Sequence, residues 1–296
     1  MIPKLLENRR LVIVGAGLVG RALGKALREG GIPVARVISR SRRRAQQACR
    51  FIGEGQPVTD PGEAGAGNLL MLATIDRVLA STAERIAAAG ELPRGSIAFH
   101  CSGAFPGAAI AALERRGARV GSLHPLQTFA SPEEAMMLLP GSSFAVEGDR
   151  TVVPVLSALA RLVGGKPVKI AAEDKALYHA AAAVTSNCLV AVALLGTEML
   201  GAVPAFSKDP FGPLKSLLRG TIRNLERLGP EQALTGPIVR GDIETVQEHV
   251  AALRRGNAKL LPAYRRAAAV TLAAAVASGR LGPTEARRIE RIVGKA

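Results

Sequence analysis

Two polar residues stand at the ends of short segments in the first half of the chain, and together they could exchange protons with a bound molecule. Ser102 follows "AFHC", and His124 follows "RVGSL". Histidine is the side chain best suited to proton transfer near neutral pH, and a serine hydroxyl can hydrogen-bond a reacting atom. The intervening segment is long enough for one crossover helix, so both residues are predicted to end neighbouring strands of one sheet. The alternative for His124 is a structural role in a turn.

A second polar set lies on one face of a predicted helix, "EDKALYHAAAAVTSN". Helical spacing aligns Lys175, His179 and Ser186, with Asn187 at the edge of the same face. The alanines between them would let another group approach closely, which favours a polar face directed into a cleft. A solvated charge in the first turn is the alternative for Lys175. Further along, in "LTGPIVRGD", Arg240 could bind a substrate carboxylate through its fork of donors.

A glycine-rich segment near the start of the chain has the spacing of a phosphate-binding loop. "GAGLVG" places Gly15, Gly17 and Gly20 after an apolar strand and at the opening of a helix. Gly15 would allow the tight turn, Gly17 the close approach of a pyrophosphate, and Gly20 the packing of helix on strand. The helix N-terminus would then face the negative charge. The motif predicts a bound dinucleotide, and the alternative is a plain strand–turn–helix corner.

The end of the second predicted strand indicates which dinucleotide is bound. An acidic residue that would bind both ribose hydroxyls is missing, and "VISRSRRR" supplies Ser39, Arg40 and Ser41 instead. Hydroxyls and guanidinium groups suit a 2′-phosphate, so we expect NADP in preference to NAD. The residues expected to contact the cofactor are Gly15, Ala16, Gly17, Leu18, Val19, Gly20, Ser39, Arg40, Ser41, Ala73, Thr74 and Ile75.

Short apolar segments alternate with helical ones up to about residue 171, and only helical segments follow. The predicted strands lie at 10–15, 34–39, 68–74, 96–102, 119–124, 143–148 and 166–171. This alternation predicts an α/β fold, a doubly wound Rossmann-like parallel sheet, followed by an all-α C-terminal domain. The predicted domains are 1–171, which binds the dinucleotide, and 172–296, the helical domain, which contributes to the substrate site.

The composition excludes several other classes of protein. Hydrophobic residues make up 48% of the chain and charged residues 21%, values typical of a globular protein. The scattered Cys49, Cys101 and Cys188 argue against a disulfide framework or a zinc site and suit the cytoplasm, and no metal site is expected. The net charge of +15 suits a polyanionic cofactor, but aromatic residues are few, and we expect no nucleic-acid partner. The apolar stretch 179–200 is expected to be a buried core helix and not a membrane span.

The four motifs "HCSGA", "HPLQTF", "DKALYHAAAAVTSN" and "LTGPIVRGD", in this order, resemble one uncharacterised family. Its members pair a Rossmann-like NADP-binding domain with a helical C-terminal domain of unknown function (2520). In plan the family is similar to pyrroline-5-carboxylate reductase, ketopantoate reductase, 6-phosphogluconate dehydrogenase and prephenate dehydrogenase. The resemblance to prephenate dehydrogenases implies that Ser102 and His124 contact the substrate. The resemblance to the ketopantoate and 6-phosphogluconate enzymes implies polar chemistry at Lys175, although His179 stands where those enzymes have asparagine.

The resemblance also implies a homodimer built through the helical domain. Together with the motifs, it favours an NADP-dependent oxidoreductase that transfers hydride to or from a carbonyl or imine carbon of a small carboxylate metabolite. His124 or Lys175 would exchange the proton, Ser102 and Asn187 would hydrogen-bond the reacting group, and Arg240 would hold the carboxylate. The alternative is a protein that binds NADP as a sensor, without turnover.

Overall fold

The computed structural model describes residues 2–294, and its first part is built on one eight-stranded sheet. The strands are β1 (Leu11–Val14), β2 (Val34–Ile38), β3 (Gln56–Val58), β4 (Leu69–Leu72), β5 (Ile97–His100), β6 (Arg119–Pro125), β7 (Ser143–Gly148) and β8 (Lys166–Lys169). Their order in the sheet is β3-β2-β1-β4-β5-β6-β7-β8. Every pairing is parallel except that of β6 with β7. The predicted α/β class is confirmed, and the antiparallel pair is a departure from the predicted all-parallel sheet.

Helices cover both faces of this sheet, which is why its central strands are apolar along their whole length. The helices of this part are α1 (Leu18–Glu29), α2 (Arg42–Ile52), α3 (Leu79–Ala89), α4 (Pro132–Leu138), α5 (Val152–Leu162) and α6 (Lys175–Ala183). In β1, Leu11 and Ile13 join the core on one face, and Val12 and Val14 join the core on the other. Alternate side chains of a strand point to opposite faces, so continuous burial requires cover on both.

The connection from β5 to β6 places the two strands side by side, as the sequence predicts. It is a 3₁₀ helix, Gly107–Arg116, and not an α-helix. The two strands are parallel neighbours with His100 opposite Ser122. β6 continues for three residues beyond this pair, where β7 holds it by pairing His124 with Ala145. Pro125 is the last residue of β6, consistent with its lack of an N–H for a further ladder bond.

The chain divides into two compact units between Ser186 and Asn187, fifteen residues after the position at which the sequence changes character. The last strand does end at Lys169 and helices follow, but α6 remains part of the first unit. The polar face of α6 attaches the helix to the first unit, because Lys175 hydrogen-bonds Ser102 and Ser122 there. A π-helical turn, Val184–Cys188, follows α6 and spans the point of division.

The second unit is entirely helical. It contains α7 (Leu189–Gly201), α8 (Gly212–Ala233), α9 (Ile243–Gly256), α10 (Leu261–Ala277) and α11 (Pro283–Val293). The apolar core of this unit lies among α9, α10 and α11, with Val246, Ala275 and Ile289 fully buried. In contrast, every residue of α7 and α8 is exposed or half-buried.

Two helical stretches, Lys175–Gly201 and Ala258–Ala277, are long and apolar enough to cross a membrane, with mean hydropathies of 1.7 and 1.2. The first contains the stretch 179–200, for which the sequence predicts a buried core helix. That prediction is wrong for the isolated chain, because the apolar segment of this stretch has no buried residue. The other described residues of the second unit therefore leave α7 uncovered.

Candidate functional site

A cleft of about 890 Å³ opens at the carboxyl ends of β1, β2 and β4. In an open parallel sheet, ligands bind at this edge. The residues predicted to bind cofactor that line the cleft are Gly15, Ala16, Gly17, Leu18, Ser39, Arg40, Ser41, Ala73, Thr74 and Ile75. Val19 and Gly20, which were also predicted, do not line it. Val19 packs on the apolar core, and Gly20 is buried against the Gly15 carbonyl, so neither faces the cleft.

Each glycine of the loop has a distinct steric environment. Gly15 has φ +112°, and a Cβ there would lie 2.5 Å from the Ala73 carbonyl oxygen. A Cβ on Gly20 would overlap the Gly15 carbonyl oxygen. Gly17 differs, because a Cβ there would have the Ala73 oxygen 4.0 Å away as its nearest neighbour. A side chain at Gly17 would therefore occupy the cleft at the N-terminus of α1, where a phosphate group would approach the free backbone N–H groups.

The cleft wall is cationic. Arg21, Arg40, Arg44 and Arg85 line it, and within residues 2–294 its lining includes no acidic side chain. The Thr74 Oγ1 atom is buried without a hydrogen-bond partner among the described residues. A buried hydroxyl without a partner costs free energy, so this atom is available to a ligand. Anion-binding backbone, guanidinium groups and an unpartnered hydroxyl together fit a phosphorylated dinucleotide.

A second polar cluster lies at the same edge of the sheet, beyond β5 and β6. The His124 Nδ1 atom is 2.8 Å from the Tyr178 hydroxyl, and the His124 and His179 rings meet edge to face with centroids 5.9 Å apart. Gly103 lies against both imidazoles, because a Cβ there would be 2.6 Å from His179 Cδ2 and 2.9 Å from His124 Nε2. Burial, with a smaller contribution from the charge of Lys175, lowers the pKa of His124 to about 4. The imidazole of His124 is therefore neutral at pH 7.

Lys175 is fully buried, unlike a solvated lysine of a first helical turn. Its Nζ donates to the Ser102 carbonyl oxygen at 3.0 Å and to the Ser122 Oγ at 2.7 Å. Burial lowers the pKa of Lys175 to about 8, and the nearby carboxylate of Glu147 opposes that fall. A buried ammonium with a pKa near neutrality is a group that can give up and regain its proton under physiological conditions.

Ser102 has a different environment from the one its sequence position indicates. Its Oγ accepts hydrogen bonds from the backbone N–H groups of Ala104 and Phe105, each at 3.2 Å, and so shapes the loop after β5. Its carbonyl, not its hydroxyl, holds Lys175. The neighbouring His100 accepts from the Ser102 N–H and contacts the Pro106 carbonyl, which makes it structural. Burial raises the pKa of the Cys101 thiol to about 12, so this thiol is inert.

Three polar residues of this site were not identified from the sequence: Tyr178, Ser122 and Glu147. Tyr178 is three residues after Lys175 and therefore on the same helical face, a spacing that could have revealed it. Ser122 is two residues before His124, so strand alternation places both on one face. Glu147 stands inside an apolar strand, where a carboxylate needs a partner, and its Oε2 accepts from the Ser122 hydroxyl at 3.1 Å.

Two predicted site residues belong to the second unit. Asn187 is exposed in the π-helical turn at the start of that unit. Arg240 is exposed in the loop before α9, and Asp242 caps that helix by accepting from the Thr245 N–H. The first unit brings together Ser102, Lys175 and the pair His124 and His179, whereas contributions by Asn187 and Arg240 to the site stay predictions.

The sheet order and the glycine-loop cleft define the class of the first unit as a Rossmann-like domain. The family model for a Rossmann-like domain matches residues 5–125, and the model of a domain of unknown function, DUF2520, matches residues 142–271. The chain thus contains a Rossmann-like domain followed by a DUF2520 domain, the pair that its motifs resemble. A search among proteins with curated functions finds no match.

Solved structures share this fold at low sequence identity. TM1727 from Thermotoga maritima is 24% identical, with a TM-score of 0.72 over 91% of this chain and 99% of that chain. BF3122 from Bacteroides fragilis, named as an inferred NADP oxidoreductase, is 24% identical, with a TM-score of 0.70 over 86% and 95%. A reductive aminase from Aspergillus terreus, solved with NADPH and ethyl levulinate, is 21% identical, with a TM-score of 0.60 over 96% and 99%.

Proposed function

We propose that this protein is an NADP-dependent oxidoreductase that transfers hydride to or from a carbonyl or imine carbon of a small carboxylate metabolite. One observation carries the proposal: a cationic cleft with a glycine loop and a cluster of proton-exchanging groups share one edge of the sheet. Strands are spaced about 4.8 Å apart, and His124 on β6 lies two strands from Thr74 after β4. His124 and Thr74 are therefore roughly 10 Å apart across the sheet, a distance that a bound dinucleotide can span.

NADP would be held by groups of the first unit. The backbone from Gly15 to Leu18 suits the pyrophosphate, and Arg40 with Ser39 and Ser41 suits the 2′-phosphate. The bound nicotinamide would supply or accept the hydride. BF3122 is named as an inferred NADP oxidoreductase and the A. terreus reductive aminase was solved with NADPH, which supports the choice of cofactor.

The proton that accompanies the hydride is assigned to Lys175. His124 has a pKa of about 4, so at pH 7 its neutral ring can hydrogen-bond a reacting group but has no excess proton to give. Lys175, with a pKa of about 8, is mostly protonated at pH 7 and can act as the acid in reduction and as the base in oxidation. Tyr178 fixes the His124 ring through its hydroxyl, and the Ser102 O–H can still donate to the substrate.

A screen of carbonyl compounds and imines tests the function. Purified protein is incubated with NADPH and a panel of small oxo acids, each with and without an amine, while NADPH absorbance is followed. We expect oxidation with at least one carboxylate-bearing compound and none with matched esters lacking the carboxylate. Tight NADPH binding combined with no oxidation across the panel would favour the sensor.

Arg40→Ala is expected to reduce the preference for NADPH over NADH by about tenfold or more. A charge-assisted hydrogen bond to a phosphate contributes about 1.5–3 kcal/mol, and NADH lacks that phosphate. Calorimetric titration with both nucleotides measures the ratio. The matched control is Arg43→Ala, which removes an exposed arginine three positions away that does not line the cleft. An unchanged ratio in Arg40→Ala would refute this role.

We also propose that two copies associate through α7 and α8 in the cytoplasm. These helices expose apolar side chains that single-chain proteins normally bury, among them Leu194 at 65% and Leu217 at 64% exposure. A second copy would cover them, in preference to a membrane, because the apolar stretch Lys175–Gly201, which includes α7, also contains the polar Thr185, Ser186 and Asn187. The free cysteines suit a reducing compartment.

Leu194→Glu is expected to convert a dimer into monomers, because a carboxylate in an apolar interface lacks a partner. Sedimentation velocity measures the mass. Met137→Glu, at a side chain 73% exposed on α4 of the first unit, is the matched control and should remain dimeric. A wild-type protein that sediments as a monomer at micromolar concentration would contradict the proposal.

A further inference from the structure

A continuous chain of hydrogen bonds links α6, β6 and β7 inside the first unit. The Lys175 Nζ donates to the Ser122 Oγ at 2.7 Å, and the Ser122 hydroxyl donates to Glu147 Oε2 at 3.1 Å. The same oxygen accepts from the Gly107 N–H at 2.5 Å. Ser122 and Lys175 are fully buried, whereas Glu147 is half-buried. The carboxylate is thus anchored by two donors and directed towards the ammonium through one hydroxyl.

The donors of Lys175 are arranged so that its proton can leave without breaking this chain. An ammonium has three N–H donors and a neutral amine has two. Two donors are committed, one to the Ser102 carbonyl and one to Ser122. The third position is an N–H in the charged form and a lone pair in the neutral form. Both forms keep both hydrogen bonds, so the side chain need not move when it gains or loses the proton.

We propose that Glu147, acting through Ser122, is a positioning residue that keeps Lys175 charged and ready for proton transfer. This inference rests on the proposed function, because it assigns the third N–H of Lys175 to the reaction. Glu147 does not touch the reacting atoms in this account. It supplies the negative charge that offsets the cost of burying an ammonium, and Ser122 transmits that stabilisation as a charge-assisted hydrogen bond.

Other titratable groups also lie near Lys175, and their charges could affect its pKa in addition to that of Glu147. The groups whose charges act on Lys175, or are affected by it, are Glu147 on β7, Asp76 after β4, His100 and Cys101 at the end of β5, and His124 on β6. His100 and His124 are neutral at pH 7, since burial lowers the pKa of each to about 4. The thiol of Cys101 is also neutral. Among these groups, the carboxylate of Glu147 has the largest effect against the lowering of the Lys175 pKa by burial.

Glu147→Gln tests the proposal without any measurement of turnover. Glutamine can still accept the Gly107 and Ser122 donors, but it carries no charge. Carbon–proton NMR spectra of the lysine Cε groups are recorded across pH on the cofactor-free full chain. They give the pH midpoint of the Lys175 titration, and the Lys175 signal is identified by its absence from the spectrum of Lys175→Met. We expect the midpoint to fall by about one pH unit, which reduces the protonated fraction at pH 8 from about a half to about a tenth.

The control is Glu114→Gln, which removes the same charge from an exposed side chain of the 3₁₀ helix and should leave the midpoint unchanged. If Glu147→Gln does not fold, Ser122→Ala breaks the link and should shift the midpoint in the same direction. An unchanged Lys175 midpoint in the folded Glu147→Gln or Ser122→Ala variant overturns the proposal. The titration contains neither cofactor nor substrate, so its outcome does not depend on turnover. If the midpoint shifts but the protein oxidises NADPH with no compound tested, the link from Glu147 to Lys175 stands and only the proposed function is contradicted.

Discussion

Lys175→Met is expected to lower kcat by about 10²–10⁴-fold with the substrate found by screening, the usual contribution of a general acid. NADPH affinity should stay within about twofold, because Lys175 is not among the residues that line the cofactor cleft. Methionine has a similar length and no charge, so it removes the proton donor while filling most of the same space. Steady-state kinetics measures kcat, and NADPH titration measures the affinity for the cofactor.

The stability of Lys175→Met separates a chemical role from a structural one. The substitution leaves the Ser102 carbonyl without its donor, which costs about 1–3 kcal/mol. It also removes the cost of burying an ammonium, and exchanges of buried charge for apolar volume are often neutral or stabilising. We therefore expect the free energy of unfolding to change by no more than about 2 kcal/mol. Full turnover in this variant would exclude Lys175 as the acid.

Lys169→Met is the matched control for this experiment. It removes the same charge from an exposed lysine of β8, in the same compact unit. We expect it to retain the wild-type kcat and the wild-type affinity for NADPH. A comparable loss in both variants would indicate a general effect of net charge on anion binding and would count against a specific role of Lys175.

Gly17→Val is expected to weaken NADPH binding by more than about tenfold, or about 1.4 kcal/mol, without unfolding the protein. The backbone of Gly17 has φ −79° and ψ −171°, which valine adopts without strain. A Cβ at this position has the Ala73 oxygen, 4.0 Å away, as its nearest protein neighbour, and the valine side chain would extend into the phosphate position. Thermal unfolding and NADPH titration of the same sample measure the two effects.

Gly20→Ala is the contrasting substitution in the same loop. Its Cβ would collide with the Gly15 carbonyl oxygen, so we expect a lower free energy of unfolding, with any loss of NADPH binding following from that. We expect opposite patterns: NADPH binding is lost and stability is kept in Gly17→Val, whereas stability is lost in Gly20→Ala. Wild-type NADPH affinity in a folded Gly17→Val variant would mean that no phosphate occupies this part of the cleft.

Much of the sheet could be predicted because its central strands are short apolar segments in regular alternation with helices. β3 was missed because it has only three residues, Gln56–Val58, at the edge of the sheet and contains a proline. The direction of β7 was not predictable from its residues, because a buried antiparallel strand has the same apolar pattern as a parallel one. The exposure of α7 could not be foreseen either, because the apolar residues of a helix do not indicate which surface covers them.

The candidate site was predictable where one residue type at one position has a specific chemistry. The glycine loop, Arg40 and His124 were predicted in this way, and the structure places the loop and Arg40 in the cleft and His124 in the polar cluster. Ser122 and Glu147 were not, since each is a single polar residue within a strand, and their link to Lys175 joins positions distant in the sequence. Ser102 was assigned by its position, but its hydroxyl oxygen accepts backbone hydrogen bonds, a role that depends on a turn geometry the sequence does not specify.

The most direct test of the central claim is a calorimetric titration of the wild-type protein with NADPH and, separately, with NADH at physiological salt. The cationic cleft, the glycine loop and Arg40 predict saturable binding of one NADPH per chain, at least about tenfold tighter than NADH. Equal affinity for the two nucleotides would contradict the assignment of the 2′-phosphate site, and the absence of binding of either would contradict the account as a whole.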